Sequence, residues 1–237
     1  MLAGEGDQAF SIGPELARAG AEGVGQVLAI GRPKGGRVPQ AGRWKKEVLD
    51  RGVAAFFLLI GSPLFLTLAL GVKLTSRGPV LFKQRRHGLM GEEILVYKFR
   101  TMVQHHEPPG VVTQATRGDS RVTWLGQILR QTSLDELPQL INVLQGTMSL
   151  VGPRPHALEH NWHYSGLIPR YNERNRMKPG ITGWAQINGH RGPTQEVGQM
   201  AARVEHDLWY IENWSFWLDI KILAVTAHCG FVHENAH

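Results

Sequence analysis

Cysteine is nearly absent from this 237-residue sequence, in which Cys229 is the single example. One cysteine excludes an internal disulfide and is typical of a reducing compartment. The sequence also lacks a Cys/His cluster and a His-Glu-x-x-His motif, so no zinc site is indicated. What it does have is 42% apolar residues and a formal net charge of +6. These values indicate one ordinary core and an anionic partner, which could be nucleic acid, phospholipid or a phosphorylated substrate.

Glycine is abundant and large apolar side chains are sparse in residues 1–42. Such a composition cannot bury enough apolar surface to offset the entropy of ordering. We therefore predict a flexible, glycine-rich tail at 1–42 and a functional domain at 43–237. Within that domain we expect a membrane helix at about 48–73 and a catalytic part at about 78–237.

The segment Gly52–Val72 contains no charged residue. Its length is about the 20 residues that a helix needs to cross a bilayer core of ~30 Å. Ser62-Pro63 lies at its midpoint, where proline removes a backbone hydrogen bond and kinks the helix, and Ser62 can bond a carbonyl that Pro63 leaves free. Both flanks are basic, and a straight crossing would leave one basic cluster on the outer face, against the positive-inside bias. We predict a re-entrant helix hairpin that enters and leaves the membrane on its cytoplasmic face. A straight crossing and a buried core helix are the alternatives.

Two short strands follow, at Val80–Gln84 and Ile94–Arg100, joined by a glycine-containing turn. Alternation places Lys98 and Arg100 on one face of the second strand. The two cations either serve a site or simply keep a solvated edge strand from aggregating. A helix is predicted at Val122–Arg130, and one or two aromatic-rich helices at Val204–Val225, packed in the core or at a membrane surface. The fold class expected is α/β, rich in helix with short strands.

Two adjacent carboxylates, Asp135 and Glu136, stand at a predicted helix start. Ser133 and Glu136 have the spacing of a capping box, in which the Glu136 carboxylate reaches back to the Ser133 amide. Leucines at helical spacing follow, and Gly146 is the predicted stop. The carboxylates could merely complement the helix dipole. The alternative is a chemical role.

Four cations could gather around this pair: Lys98, Arg100, Arg130 and Arg154. Like charges at about 4 Å repel by roughly 4 kcal/mol at an effective dielectric of about 20, so a carboxylate that approaches a diphosphate needs cations beside it. Mg²⁺ prefers one or two carboxylates plus phosphate oxygens, so Asp135 and Glu136 are candidate Mg²⁺ ligands. Together with the apolar segment, this pattern favours phosphoryl chemistry on a lipid. Nucleic-acid binding is disfavoured because no aromatic-rich strand or recognition helix is evident.

An ordered set of motifs resembles the bacterial sugar transferase family, the monotopic phosphoglycosyl transferases. The motifs are the Ser-Pro break, K-Q-R-R-H-G, Y-K-F-R-T-M, T-S-L-D-E-L-P-Q, L-V-G-P-R-P and K-P-G-I-T-G-W-A-Q-I-N-G. They run from about Trp44 to the end of the sequence. I-N-G-H-R-G-P-T is similar to the hexose-1-phosphate branch, typified by glucose transfer in exopolysaccharide synthesis.

The resemblance implies a role for several residues in these motifs. Asp135 would attack the sugar-proximal phosphate of a UDP-sugar, expel UMP and form a phosphosugar–aspartyl intermediate, which undecaprenyl phosphate then accepts. Glu136 would assist in metal binding or proton handling. Lys98, Arg130 and Arg154 match positions that hold phosphates, and Ser62-Pro63 matches the break of the re-entrant helix. The resemblance implies three partners: a UDP-sugar donor, expected to be UDP-glucose, the acceptor undecaprenyl phosphate, and inner-membrane lipid. Homodimer formation is left open. The rival hypothesis is a non-catalytic membrane protein that binds anionic lipid or a glycan-assembly partner.

Overall fold

The computed structural model describes residues 43–103, 118–192, 194 and 196–229. The predicted tail at 1–42 lies outside the described residues, and the domain boundaries stay a prediction. The helices are α1 (Arg43–Ile60), α2 (Ser62–Thr75), α3 (Trp124–Gln131), α4 (Gln139–Gln145), α5 (Leu158–Ser165), α6 (Trp184–Ile187), α7 (Val197–Glu212) and α8 (Phe216–Cys229). The strands are β1 (Leu81–His87), β2 (Glu93–Phe99), β3 (Ser149–Val151) and β4 (Gly180–Thr182). Short 3₁₀ turns are found at Leu89–Gly91, Leu134–Glu136 and Tyr171–Arg176.

Helices α1 and α2 form a bent pair, with an angle of 67° between them. The Ser62 hydroxyl donates to the Leu59 carbonyl at 2.8 Å. That carbonyl lies four residues before Pro63, so it is the acceptor that an amide at position 63 would have bonded. The hydrogen bond expected of Ser62 is therefore present. In the described part of the chain, no helix alone has the length and apolar content for a membrane crossing, although the bent pair together meets both criteria.

The bent pair leaves much of its apolar surface uncovered. Large apolar side chains of the pair that are more than half exposed are Trp44, Val48, Phe56, Phe57, Leu59, Ile60, Leu66, Leu70 and Leu74. The opposite side faces the rest of the chain, where Val72 is buried and Phe65 packs against Phe99 of β2 at 6.0 Å between ring centroids. One side of the pair is thus anchored in the fold while the other has no cover among the described residues.

Two small sheets confirm the expected α/β class with short strands. The predicted hairpin is present as β1 and β2, which pair antiparallel with Phe82 opposite Lys98. Strands β3 and β4 pair in parallel, with Val151 opposite Thr182. All residues of β3 are buried, since α1, α4 and α8 pack around it.

The main core joins these sheets to the helices around them. Its members include Val96, Val143, Leu150, Tyr210, Trp214 and Ile222. The aromatic-rich region forms two helices, α7 and α8. Tyr210 and Trp214 are buried in the core, whereas Trp209 and Trp217 are exposed, so the membrane-surface alternative stays a prediction for the exposed two.

Candidate active site

The Asp135–Glu136 pair lies in a 3₁₀ turn rather than at the start of an α-helix. Ser133 adopts a left-handed conformation with φ of 58° and makes no side-chain cap. The predicted capping box is therefore wrong: the Glu136 amide donates to the Ser133 carbonyl, and the Glu136 carboxylate bonds elsewhere. The Ser133 hydroxyl accepts from Arg191 at 2.7 Å. The α-helix begins later, at Gln139, and it ends as predicted at Gly146, whose φ is 81°.

Glu136 is bound by two cations. Its Oε1 accepts from Lys98 Nζ at 2.7 Å and from Arg154 Nη2 at 2.6 Å, while its Oε2 accepts from Arg154 Nη1 at 3.2 Å. Burial alone would raise the pKa of Glu136, but Arg154 and Lys98 hold that pKa well below its usual range. Glu136 is therefore an ionised carboxylate that fixes two cationic side chains in place.

Asp135 is in the opposite state. Its carboxylate is buried, yet within the described ranges it makes neither a hydrogen bond nor an ion pair. Burial raises the pKa of Asp135 to about 6, with the charge of Glu136 adding to the effect and Lys98 opposing it. An unpartnered carboxylate with this pKa is ionised at neutral pH and has both oxygens free to bond a substrate atom or a metal ion.

The helix α4 sets the distance between the strand that carries Lys98 and the turn that carries the carboxylates. Asn142 of α4 accepts from the Tyr97 amide at 3.0 Å and donates to the Leu95 carbonyl at 2.6 Å. Both partners lie in β2, so this side chain extends the strand's hydrogen bonding to the helix that follows the turn. These two hydrogen bonds consequently fix the position of β2, and with it Lys98, relative to the turn that carries Glu136.

Of the four predicted cations, the structure brings three to the carboxylates. Lys98 and Arg154 bind Glu136, and Arg130, in the last turn of α3, contributes a positive charge that lowers the pKa of Asp135. Arg100 is not among them. Its guanidinium donates to the Ser76 carbonyl at 2.7 Å and to the Pro79 carbonyl, because Arg100 lies past the end of β2 beside the end of α2. Arg100 thus satisfies carbonyls that follow the last turn of a helix.

Two further arginines reach the site that sequence reasoning did not place there. Arg191 contacts Ser133, as described above, and no sequence signal foretold that long-range contact. Arg86 lies in β1 on the face that Lys98 shares in β2, since Phe82 pairs with Lys98 and side chains alternate along the strand. The hairpin register would therefore have indicated Arg86. Burial, with the charge of Arg154 adding to the effect, lowers the pKa of Arg86 to about 10, so it stays cationic at neutral pH.

The site carries an excess of positive charge. The cations whose charge acts on Asp135 or Glu136 are Arg86, Lys98, Arg130 and Arg154. Against two carboxylates, four cations leave two positive charges without an anionic partner in the described part of the chain. Such an arrangement suits a ligand that brings two or more negative charges, such as a diphosphate.

Comparison with known proteins gives a family match over most of the chain. Residues 41–233 match the model of a family described as bacterial sugar transferase. The match includes both carboxylates, the four cations of the site and the bent helix pair.

Individual relatives agree with the family model. Proteins named UDP-glucose:undecaprenyl-phosphate glucose-1-phosphate transferase are similar to this chain in three bacteria. The Xanthomonas campestris protein is 49% identical over 213 residues, which is 90% of this chain and 44% of that protein. The Escherichia coli protein is 54% identical over 195 residues, covering 82% and 42%, and the Caulobacter vibrioides protein is 48% identical over 213 residues, covering 90% and 79%. The chain thus spans less than half the length of the first two.

Proposed function

Because this chain belongs to the bacterial sugar transferase family, we propose that it transfers glucose 1-phosphate from UDP-glucose to undecaprenyl phosphate and releases UMP. The names of relatives that are about half identical support both substrates. The observation that carries the proposal is the unequal state of two neighbouring carboxylates. Glu136 is saturated by cations, whereas Asp135 is buried beside those cations and is free to react.

Asp135 acts as the nucleophile in this proposal. One of its oxygens bonds the phosphorus that bears glucose, and the bond from that phosphorus to the bridging diphosphate oxygen breaks, so UMP leaves with the electron pair. An oxygen of undecaprenyl phosphate then attacks the same phosphorus. Asp135 leaves as a carboxylate, and the lipid diphosphate sugar is the product. A covalent intermediate lets a soluble donor and a lipid acceptor use one site in turn.

The cations lower the electrostatic cost of the attack. A carboxylate that approaches a diphosphate is repelled, and Lys98, Arg130 and Arg154 supply opposing charge at the point of approach. Glu136 keeps Lys98 and Arg154 beside Asp135 before substrate arrives, so little reorganisation is needed at the moment of reaction. Its role in this proposal is to position cations as much as to handle a metal or a proton.

Mg²⁺ fits the donor set of the site. Asp135 offers an unpartnered carboxylate, and Oε2 of Glu136 keeps one lone pair, because it accepts from Arg154 Nη1 alone. In the ranges 43–103, 118–192 and 196–229, no group of three or more His, Cys, Asp or Glu side chains is placed to hold a metal. Asp135 and Glu136 would thus hold the ion together with phosphate oxygens and water, as Mg²⁺ prefers. When bound, Mg²⁺ would neutralise charge on the diphosphate.

The bent helix pair supports a membrane-embedded position for the chain. Its exposed apolar side chains would lie in lipid, and the bend at Gly61 would return the chain to the side from which it entered. Basic residues at both ends, including Lys45 and Lys73, favour the cytoplasmic face of the bacterial inner membrane. Undecaprenyl phosphate would then present its phosphate at the height of the site. Self-association stays a prediction.

The reaction is tested with radiolabelled UDP-glucose, undecaprenyl phosphate and Mg²⁺ in detergent. We expect UMP release by the wild type, and a loss of about 10³-fold or more in Asp135→Asn, as removal of a covalent nucleophile typically causes. Asp119→Asn is the matched control, since Asp119 is ion-paired with Arg121 outside the site.

Without the lipid acceptor, intact-protein mass spectrometry should show a hexose-phosphate adduct that maps to Asp135. Normal turnover by Asp135→Asn would refute the covalent route. If the wild type bound anionic lipid but released no UMP with any UDP-sugar, the rival, a non-catalytic lipid-binding protein, would replace the transferase.

A further inference from the structure

Arg154 lies in an irregular segment whose carbonyl groups are all bonded by other parts of the chain. The Pro153 carbonyl accepts from the Gly180 amide at 3.0 Å. The Arg154 carbonyl accepts from Arg174 Nη2 at 2.7 Å, and the Pro155 carbonyl accepts from Arg86 Nη1. Prolines on both sides of Arg154 cannot donate backbone hydrogen bonds, so acceptor contacts determine where this segment lies.

Arg174 has the central place among these contacts. Besides the Arg154 carbonyl, its Nη1 donates to His156 Nδ1 at 2.6 Å, so one guanidinium binds the segment on both sides of Pro155. Arg174 is itself fixed by Asp207 of α7, whose Oδ2 accepts from Nε at 3.1 Å and from Nη2 at 2.6 Å. Both side chains of this ion pair are at most 3% exposed.

The buried Arg174–Asp207 pair does not contact the carboxylates of the site. Neither member bonds Asp135 or Glu136; the contacts to Glu136 belong to Lys98 and Arg154. A buried ion pair is weak evidence for stability, because the cost of removing both charges from water offsets most of their attraction. Its planar, multidentate contacts instead fix a geometry, which lysine in place of arginine could not reproduce.

We propose that Arg174 is a positioning residue for the glucose-1-phosphate transfer: anchored by Asp207, it sets the backbone of Arg154 so that the Arg154 guanidinium reaches Glu136 and the donor diphosphate. The inference rests on the proposed function and deepens it. It assigns the pre-organisation of Arg154 to the Arg174–Asp207 ion pair, which does not itself contact the carboxylates. Displacing a substrate-positioning group by about 1 Å can lower a rate by about 10²-fold.

The alternative is that Arg174 and Asp207 only hold the 3₁₀ turn at Tyr171–Arg176 against α7. A double-mutant cycle distinguishes the two roles. Arg174→Lys is combined with Arg154→Ala, and two quantities are measured on folded, monodisperse protein in detergent: kcat and KM for UMP release, and the affinity for UDP by calorimetry. Arg170→Lys is the control, because Arg170 pairs with Glu173 and Glu212 in the same region and does not contact the Arg154 segment.

With Arg154 present, we expect Arg174→Lys to lower kcat/KM by about 10²-fold and to weaken UDP binding, as misplacement predicts. In the Arg154→Ala background the same substitution should change either quantity by less than about threefold, since groups that act through one another are not additive. Asp207→Asn should give a smaller loss with the same dependence on Arg154, and it serves if Arg174→Lys does not fold. Arg170→Lys should be unchanged.

Equal losses in both backgrounds, or no loss with Arg154 present, would overturn the positioning role while leaving the transferase proposal intact. If the wild type released no UMP, the transferase proposal would fail, and the UDP-binding cycle would decide the positioning role by itself. Failure of the wild type both to release UMP and to bind UDP would refute both.

Discussion

The bent helix pair and the carboxylate site differ in which side chains they expose to solvent. In α1 and α2, large apolar side chains such as Leu59 and Leu66 are 74% and 71% exposed. At the site, both carboxylates are buried, and Glu136 is only 9% exposed. A soluble protein arranges these groups the other way round. In the proposed function, an apolar medium would cover the first region and an anionic substrate would bind in the second.

Strand β2 connects the two regions. Phe99 packs against Phe65 of α2, while its neighbour Lys98 binds Glu136. Because successive side chains of a strand point to opposite faces, adjacent residues serve both regions at once. The height of the site above the helix pair is therefore set by a single short strand.

The largest effect after loss of the nucleophile is expected from removing the charge of Glu136. Glu136→Gln leaves the half-buried Lys98 and Arg154 without a full counter-charge, and breaking a buried pair in this way costs about 3–5 kcal/mol. Urea denaturation in detergent measures the free energy of unfolding. Glu93→Gln is the control, since Glu93 pairs with Arg85 on the exposed side of the hairpin. Equal, small losses in the two variants would show that the cluster is not a buried ion network.

Gly152→Ala should disturb the site through the backbone. A Cβ at Gly152 would lie 2.3 Å from the Lys178 carbonyl and 2.9 Å from the Gly180 amide nitrogen, so the segment leading to Arg154 must shift. We expect a loss of about 1–3 kcal/mol in stability, as overpacking gives, together with slower UMP release. Gly198→Ala is the matched control, because a Cβ there meets no atom within 4 Å. An active, stable Gly152→Ala protein would contradict the close packing of β3 on β4.

Lowering the pH should separate the two neighbouring carboxylates. The pKa of Asp135 is about 6, above its usual 3.8, so the nucleophile is protonated as pH falls through 6 and UMP release should drop by about tenfold per unit below it. Because the folded state holds that proton more tightly, this group does not destabilise the protein as the pH falls.

Glu136 behaves in the reverse sense. Its folded pKa lies well below its usual 4.5, so its contribution to stability is present above 4.5 and is lost only as pH falls through the lower value. Between pH 6 and 4.5, activity should fall while the unfolding midpoint in denaturant holds. A parallel loss of both would mean that the two carboxylates titrate together.

The smallest effect is expected in the helix pair. Ser62→Ala removes the donor to the Leu59 carbonyl, which Pro63 cannot replace, at a cost of about 1 kcal/mol. Thr67→Val is the control, since Thr67 also donates to a carbonyl at 2.8 Å but that carbonyl, of Pro63, lies within a regular turn of α2. Thermal unfolding in lipid nanodiscs measures the stability of the two variants. A larger loss in Thr67→Val would show that the Ser62 bond does not support the bend.

The sequence predicted local structure correctly where neighbouring residues determine it. Pro63 predicted the break, Gly146 predicted the end of the helix, and two strand-like runs joined by a glycine-containing turn predicted the hairpin of β1 and β2. The capping box at Ser133 failed for a physical reason. Its spacing is only a weak local preference, and three long-range charge-assisted bonds to Glu136 outweigh one bond to a neighbouring amide.

The amino-acid order alone determined that two carboxylates, several cations and an uncharged, proline-broken segment occur in one chain, and the motif order indicated the family. Only the tertiary structure decided how the charges are shared: Lys98 and Arg154 on Glu136, Arg100 at the end of α2, Arg174 behind Arg154. Those assignments depend on strand register and on contacts between residues up to 38 positions apart for Lys98 and Glu136. No local pattern encodes such distances, because each guanidinium or ammonium group binds whichever acceptor the packed backbone presents to it.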